Sequence, residues 1–93
     1  MSTKAELRHL IRVRGLPCVL CKLLDIPQTS HTTAHHIREG QGMSQKAPDM
    51  LTVALCHECH QGKQGIHGDR TLLKIAKVSE LGLLALTLEA LQS

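Results

Sequence analysis

Cysteine spacing constrains this chain more than any other feature. Cys18 and Cys21 form one Cys-x-x-Cys pair, Cys56 and Cys59 a second, and 34 residues lie between the pairs. Four thiolates in two knuckles suit a tetrahedral zinc ion, and a filled tetrahedron makes that ion structural. The chain has 93 residues and no Phe, Tyr or Trp, so its core must be filled by Leu, Ile, Val, Met and Ala. A core that small is commonly stapled by a metal. One domain is expected over 1–93.

The N-terminal Met1-Ser2-Thr3-Lys4-Ala5-Glu6 has no apolar run, so no signal peptide is read there. The expected compartment is the reducing cytoplasm, where paired Cys-x-x-Cys motifs hold metal far more often than disulfides. No stretch approaches the roughly 20 apolar residues that span a bilayer. A membrane is therefore not an expected partner. The formal charge of +3 falls to roughly +1 once four thiolates and one zinc ion are counted. Clustering says more than net charge does. Arg8, Arg12 and Arg14 share one segment, and Lys63 and Arg70 flank the second knuckle. Arg8, Arg12, Lys63 and Arg70 are the candidate phosphate contacts, with a solvated basic face as the plainer reading.

Thr3-Lys4-Ala5-Glu6 reads as a capping box opening a helix to about Arg14, with Leu7, Leu10 and Ile11 as its apolar side. Pro17 to Cys21 reads as a compact knuckle turn, and Lys22 to Thr29 as an irregular connection. Ser30 to Ile37 is rich in β-branched and short polar residues and suits a strand. Arg38 to Asp49, with Gly40, Gly42 and Pro48, is a loop long enough to signal function. Met50 to Leu55 suits a buried strand antiparallel to the first, and His57 to about Lys63 a short helix. Asp69 is placed to cap a helix over Arg70 to Val78. Ser79 is placed to cap another through Leu91. Leu81, Leu84, Leu88 and Leu91 recur there at helical spacing, broadened by Leu83 and Leu86. That stripe is expected to pack on the core or to pair two copies as a homodimer.

Seven histidines stand in the chain, four of them in two tight groups: His35 and His36, then His57 and His60. His9 is read as a surface or satisfied residue and His57 as incidental to its knuckle, while His31 is balanced between a role and none. Strand, loop, strand, knuckle and helix in succession are expected to set His36 opposite His60. Adjacent strand residues alternate faces, so His35 and His36 should diverge.

Ala34-His35-His36-Ile37 followed by Leu55-Cys56-His57-Glu58-Cys59-His60 resembles the HNH, or ββα-metal, endonucleases. The chain looks most like the small zinc-containing proteins of phages and prophages, and the resemblance covers roughly Cys18 to Arg70. It implies a small α+β, zinc-stabilised ββα-metal (treble-clef-like) domain with flanking N- and C-terminal helices. Its zinc and ββα core would span about 16–70 and its C-terminal helices about 69–92. The resemblance further implies that His35 and His60 bind a catalytic divalent ion, Mg²⁺ or Mn²⁺, with Zn²⁺ or Ni²⁺ as substitutes in vitro. His36 becomes the general base of DNA phosphodiester hydrolysis.

The family's middle asparagine has no counterpart, since the chain contains no Asn. Asp49 is the nearest replacement, its carboxylate able to orient His36 as an aspartate does in a triad; Thr52 is the other. Arg38 is a candidate for neutralising transition-state charge. His67 is a candidate extra ligand or phosphate contact, against the plainer reading of a turn histidine. Without large aromatic residues, nicking or structure-dependent cutting of low sequence specificity is expected. The alternative is a non-catalytic zinc module that binds nucleic acid or protein. Such a module keeps the cysteines but has no need of the three histidines together.

Overall fold

Two strands and five helices are found among the described residues, in the order α1 (Lys4–Arg14), α2 (Val19–Leu24), β1 (Thr32–His36), β2 (Thr52–Cys56), α3 (His57–Gln61), α4 (Thr71–Ala76) and α5 (Glu80–Leu91). The computed structural model describes residues 3–38, 48–61, 66 and 71–92, without the side chain of residue 72. The class is α+β. Of the expected loop from Arg38 to Asp49, only Arg38, Pro48 and Asp49 are described, and the expected helix cap Asp69 lies outside the described residues.

The sheet is an antiparallel pair in which Thr33 faces Leu55, His35 faces Val53 and His36 faces Thr52. All five residues of β2 are buried, as befits a strand covered on both sides and therefore apolar almost throughout. Helix α5 closes its outer edge. The Ala54 N–H donates to Thr87 Oγ1 at 3.2 Å, and Thr87 in turn donates to the Leu83 carbonyl at 3.0 Å. A bare edge amide thus gains a partner inside the core.

Helix α1 starts with both halves of its capping box, Glu6 N–H to Thr3 Oγ1 and Thr3 N–H to Glu6 Oε1. Its buried residues are Leu10 and Val13, whereas Leu7 and Ile11 face solvent. The apolar stripe expected over Leu7 and Ile11 is thus displaced toward the C-terminal end of the helix. The first knuckle also differs from a simple turn. Cys18 is the N-cap of α2, its sulfur accepting the Cys21 N–H at 3.4 Å, and Lys22 to Leu24 continue that helix instead of forming an irregular connection. Asp25, at φ 56°, ends it, with Ile26 N–H reaching Cys21 O and Asp25 N–H reaching Lys22 O. That pair of bonds is a Schellman motif built without glycine.

The same device ends α4. Lys77 takes φ 56°, Val78 N–H bonds Leu73 O, and Lys77 N–H bonds Lys74 O. Ser79 then caps α5 through its hydroxyl. Gly82 lets that first turn sit against Val78, because a Cβ there would lie 2.5 Å from Val78 Cγ2. The buried face of α5 is Glu80, Leu83, Leu84 and Thr87, while Leu81 is 51% exposed and Leu88 faces solvent. Of the expected leucine stripe, Leu84 packs on the core, whereas Leu81 and Leu88 do not. Two polar residues occupy the inner face because each has a partner there.

Candidate metal centre and histidine site

The two knuckles converge. Cys56 is the last residue of β2, Cys59 lies in the following turn of α3, and the helix-capping Cys18 and Cys21 meet them from α2. The Cys21 sulfur is 3.6 Å from the sulfurs of both Cys56 and Cys59, and the four sulfurs all lie within 4.8 Å of one another. Zn–S bonds of ~2.3 Å at tetrahedral angles separate sulfurs by about 3.8 Å. The four cysteines could hold a structural metal such as zinc.

Charge in this cage is unevenly spread without a metal. A hydrogen bond from Cys59 holds the Cys18 thiol down at about 5, against the cost of burial. Burial pushes Cys21 up to about 12, and the neighbouring Cys18 raises Cys59. One thiolate forms readily and its neighbours then resist ionisation. A divalent cation removes that conflict, since it binds thiolates and neutralises their mutual repulsion.

The histidines form a second centre on the faces of β1. Thr33 and His35 share one face, two residues apart, and α3 lays His60 against it. The ring centroids of His35 and His60 are 4.8 Å apart with planes at 79°. His36 does not oppose His60, as the order of elements suggested; strand alternation puts His35 there and turns His36 to the other face.

Each of these histidines has a hydrogen-bonding partner at a ring nitrogen. His60 Nδ1 lies 2.9 Å from Thr33 Oγ1, which is also 2.8 Å from the Leu55 carbonyl. A carbonyl can only accept, so the single hydroxyl proton goes to Leu55 and Thr33 accepts the Nδ1–H of His60. The neutral His60 ring then carries its lone pair on Nε2. His35 Nε2 lies 2.6 Å from Glu80 Oε2, and both residues are 1% exposed. The Arg38 backbone N–H donates to the same oxygen at 3.1 Å.

His36 Nε2 lies 2.7 Å from Asp49 Oδ1. The imidazole is 22% exposed and the carboxylate 10%, so the pair sits at the surface with its acid inward. An ionised Asp49 accepts the Nε2–H and leaves the lone pair on Nδ1. Thr52 does something else. Its hydroxyl donates to the Asp49 carbonyl at 3.0 Å, bracing the turn that presents the carboxylate.

Of the other candidates, Arg38 and Arg8 are exposed, and Arg12 Nη2 donates to the Leu91 carbonyl at 2.7 Å. That bond ties the end of α5 to α1. Lys63, His67 and Arg70 lie outside the described residues. His31 and His57 are stacked on each other, centroids 5.8 Å apart, at the exposed entry to α3.

Two residues of the site carry little signal in the sequence. Glu80 follows a Ser N-cap, where an acid ordinarily sits for the helix dipole and stays solvated; nothing local marks it as buried. Thr33 looks like any β-branched strand residue. Comparison with family models, with curated proteins and with solved structures finds no match to this chain.

Proposed function

We propose that the chain is a metal-dependent DNA endonuclease in which β1, β2 and α3 form a ββα-metal core beside a structural zinc. The observation that carries the reading is the division within the histidine doublet: His35 stands against His60, while His36 stands on Asp49. One face then offers two imidazoles to an ion, and the other offers a polarised imidazole to water.

The donor chemistry fits a second divalent ion. His35 and His60 would hold it, and imidazole donors suit Mn²⁺, Ni²⁺ or Zn²⁺ better than Mg²⁺, which prefers oxygen. When bound, such an ion stabilises charge on the phosphate and on the leaving 3′ oxygen. His36 Nδ1 takes a proton from water as its oxygen bonds phosphorus and the P–O3′ bond breaks. Asp49 steadies the resulting imidazolium through Nε2–H. With no Phe, Tyr or Trp, binding would rest on phosphate contacts, for which the exposed Arg8 and Arg38 are candidates. Low sequence specificity and nicking follow from that.

Supercoiled plasmid incubated with zinc-loaded protein and Mn²⁺, Mg²⁺ or EDTA tests the proposal. The expected result is metal-dependent nicking, lost by about 10²–10⁴-fold in His36→Ala with zinc content unchanged. Zinc-loaded protein that cuts neither plasmid, branched nor single-stranded DNA under any of these ions would favour a non-catalytic binding module.

A further inference from the structure

We propose that Glu80 is a positioning residue of the second metal site: from the first turn of α5 its carboxylate fixes His35 in the Nε2–H form, leaving Nδ1 as the ligand atom. The inference rests on the nuclease reading for its purpose, but its geometry stands independently. Three observations carry it.

First, Glu80 and His35 are buried together at 2.6 Å, so the contact is not a solvated surface pair. Second, the oxygen that meets His35 also receives the Arg38 N–H, a group that can only donate. Its seat at the start of a 12-residue helix, whose N-terminal amides favour an anion, makes the carboxylate the form that accepts both donors. His35 must then donate from Nε2. Third, His60 is held in the complementary way, its Nδ1–H given to Thr33. The two facing rings are thus each tied back by one nitrogen, as metal-bound imidazoles are by carboxylate or hydroxyl partners.

Direct ligation by Glu80 is a different arrangement and the geometry disfavours it. Among the described residues, the four cysteines are the one group of three or more ligands gathered closely enough to hold an ion, and Glu80 Oε2 is already engaged by His35 and by the Arg38 N–H. Glu80 also lies 45 positions from His35 in sequence, which makes α5 part of the site rather than an appended brace. Arg38, whose amide shares the carboxylate, follows closely on β1, so the same oxygen fixes both the ring and the exit of the strand.

The test uses the zinc-loaded full chain and the variants Glu80→Gln and Glu80→Leu. Histidine ¹⁵N chemical shifts report the tautomer without any second metal, and Mn²⁺ electron paramagnetic resonance reports affinity. The wild type should show His35 as Nε2–H. In Glu80→Leu that form should give way to a mixture, and Mn²⁺ affinity should fall about 10–100-fold. Glu80→Gln, whose amide oxygen still accepts but without charge, should lose less.

A wild-type His35 in the Nδ1–H form overturns the proposal. So does unchanged Mn²⁺ affinity in the folded, zinc-loaded Glu80→Leu protein. If Glu80→Leu fails to fold, the Gln variant decides by the same two readouts, since loss of affinity with zinc retained supports the assignment and wild-type affinity overturns it. Should the wild type fail to nick DNA, the nuclease reading fails, and the tautomer measurement still decides whether Glu80 positions His35.

Discussion

The cysteine centre and the histidine centre are built on opposite principles. The cysteines come as two local knuckles, and each pair is positioned by the turn of helix it belongs to: Cys18 caps α2, and Cys56 leads into α3. Their partners are each other. The histidines are single residues whose partners arrive from elsewhere: Glu80 at a separation of 45 residues, Thr33 at 27 and Asp49 at 13. A site made of repeats of one ligand needs only convergence. A site made of unlike pairs needs the whole fold to be in place.

The largest effect should come from removing the metal that the four cysteines would hold. Structural zinc supplies on the order of 10 kcal/mol to small domains that depend on it, so chelation or Cys56→Ser should abolish the cooperative thermal transition seen by circular dichroism. The histidine centre should vanish with it. The converse does not hold, since His36→Ala should leave zinc content intact. Rebinding zinc at pH 7 to the metal-free, unfolded chain should release protons, because thiols with an ordinary pKa of ~8.5 are mostly protonated at that pH and bind the ion only as thiolates. Zinc affinity therefore falls as pH is lowered, as protons compete for the thiolates. A pH-indicator titration giving no proton release would contradict thiolate ligation of the ion.

Thr87→Val tests the dependence of the histidine centre on α5. It strips the Ala54 N–H of its buried acceptor, at a cost of about 1–3 kcal/mol. Denaturant unfolding should show that loss, and Mn²⁺ binding should weaken before zinc is lost. Equal loss of both metals would mean that the two centres are one cooperative unit. Asp49→Asn is milder for the fold, since an amide oxygen still accepts from His36 but does not steady an imidazolium. In the proposed mechanism nicking should slow by up to about 10⁴-fold, because an amide can also hold His36 in the wrong tautomer, with stability nearly unchanged. The smallest effect belongs to the helix ends. Lys77→Gly removes the strain of a left-handed residue and should stabilise by about 0.5–1 kcal/mol in thermal melts.

Legibility in the sequence follows the same divide. The capping box, both strands, the short helix after Cys56 and each Cys-x-x-Cys pair of the cysteine quartet rest on neighbours within a few residues, where spacing and turn chemistry decide. The pairing of Asp49 with His36 is reachable because Asp49 stands just before the second strand, where the chain returns antiparallel to the end of the first. Glu80 is not, since a first-turn acid looks the same whether it is solvated or buried. The inner face of α5 is hidden for a related reason. Leucine spacing marks a stripe, but it does not reveal that Thr87 and Glu80 hold partners across the core and so claim the inner face, leaving Leu81 and Leu88 outside. The expected placing of His36 against His60 fails because the order of elements does not say which side of β1 receives α3.

The hydrogen bond between Ala54 and Thr87 bears on how the chain avoids self-association while it folds. β2 is a short, apolar strand, Thr-Val-Ala-Leu-Cys, and it carries no charge that would repel a copy of itself. Until α5 docks, its outer edge is a template on which another chain's strand could grow. Refolding at high concentration should consequently lose material to aggregates in proportion to the time that α5 stays undocked, and substitutions that slow its docking should lower the yield even where the final stability is unharmed.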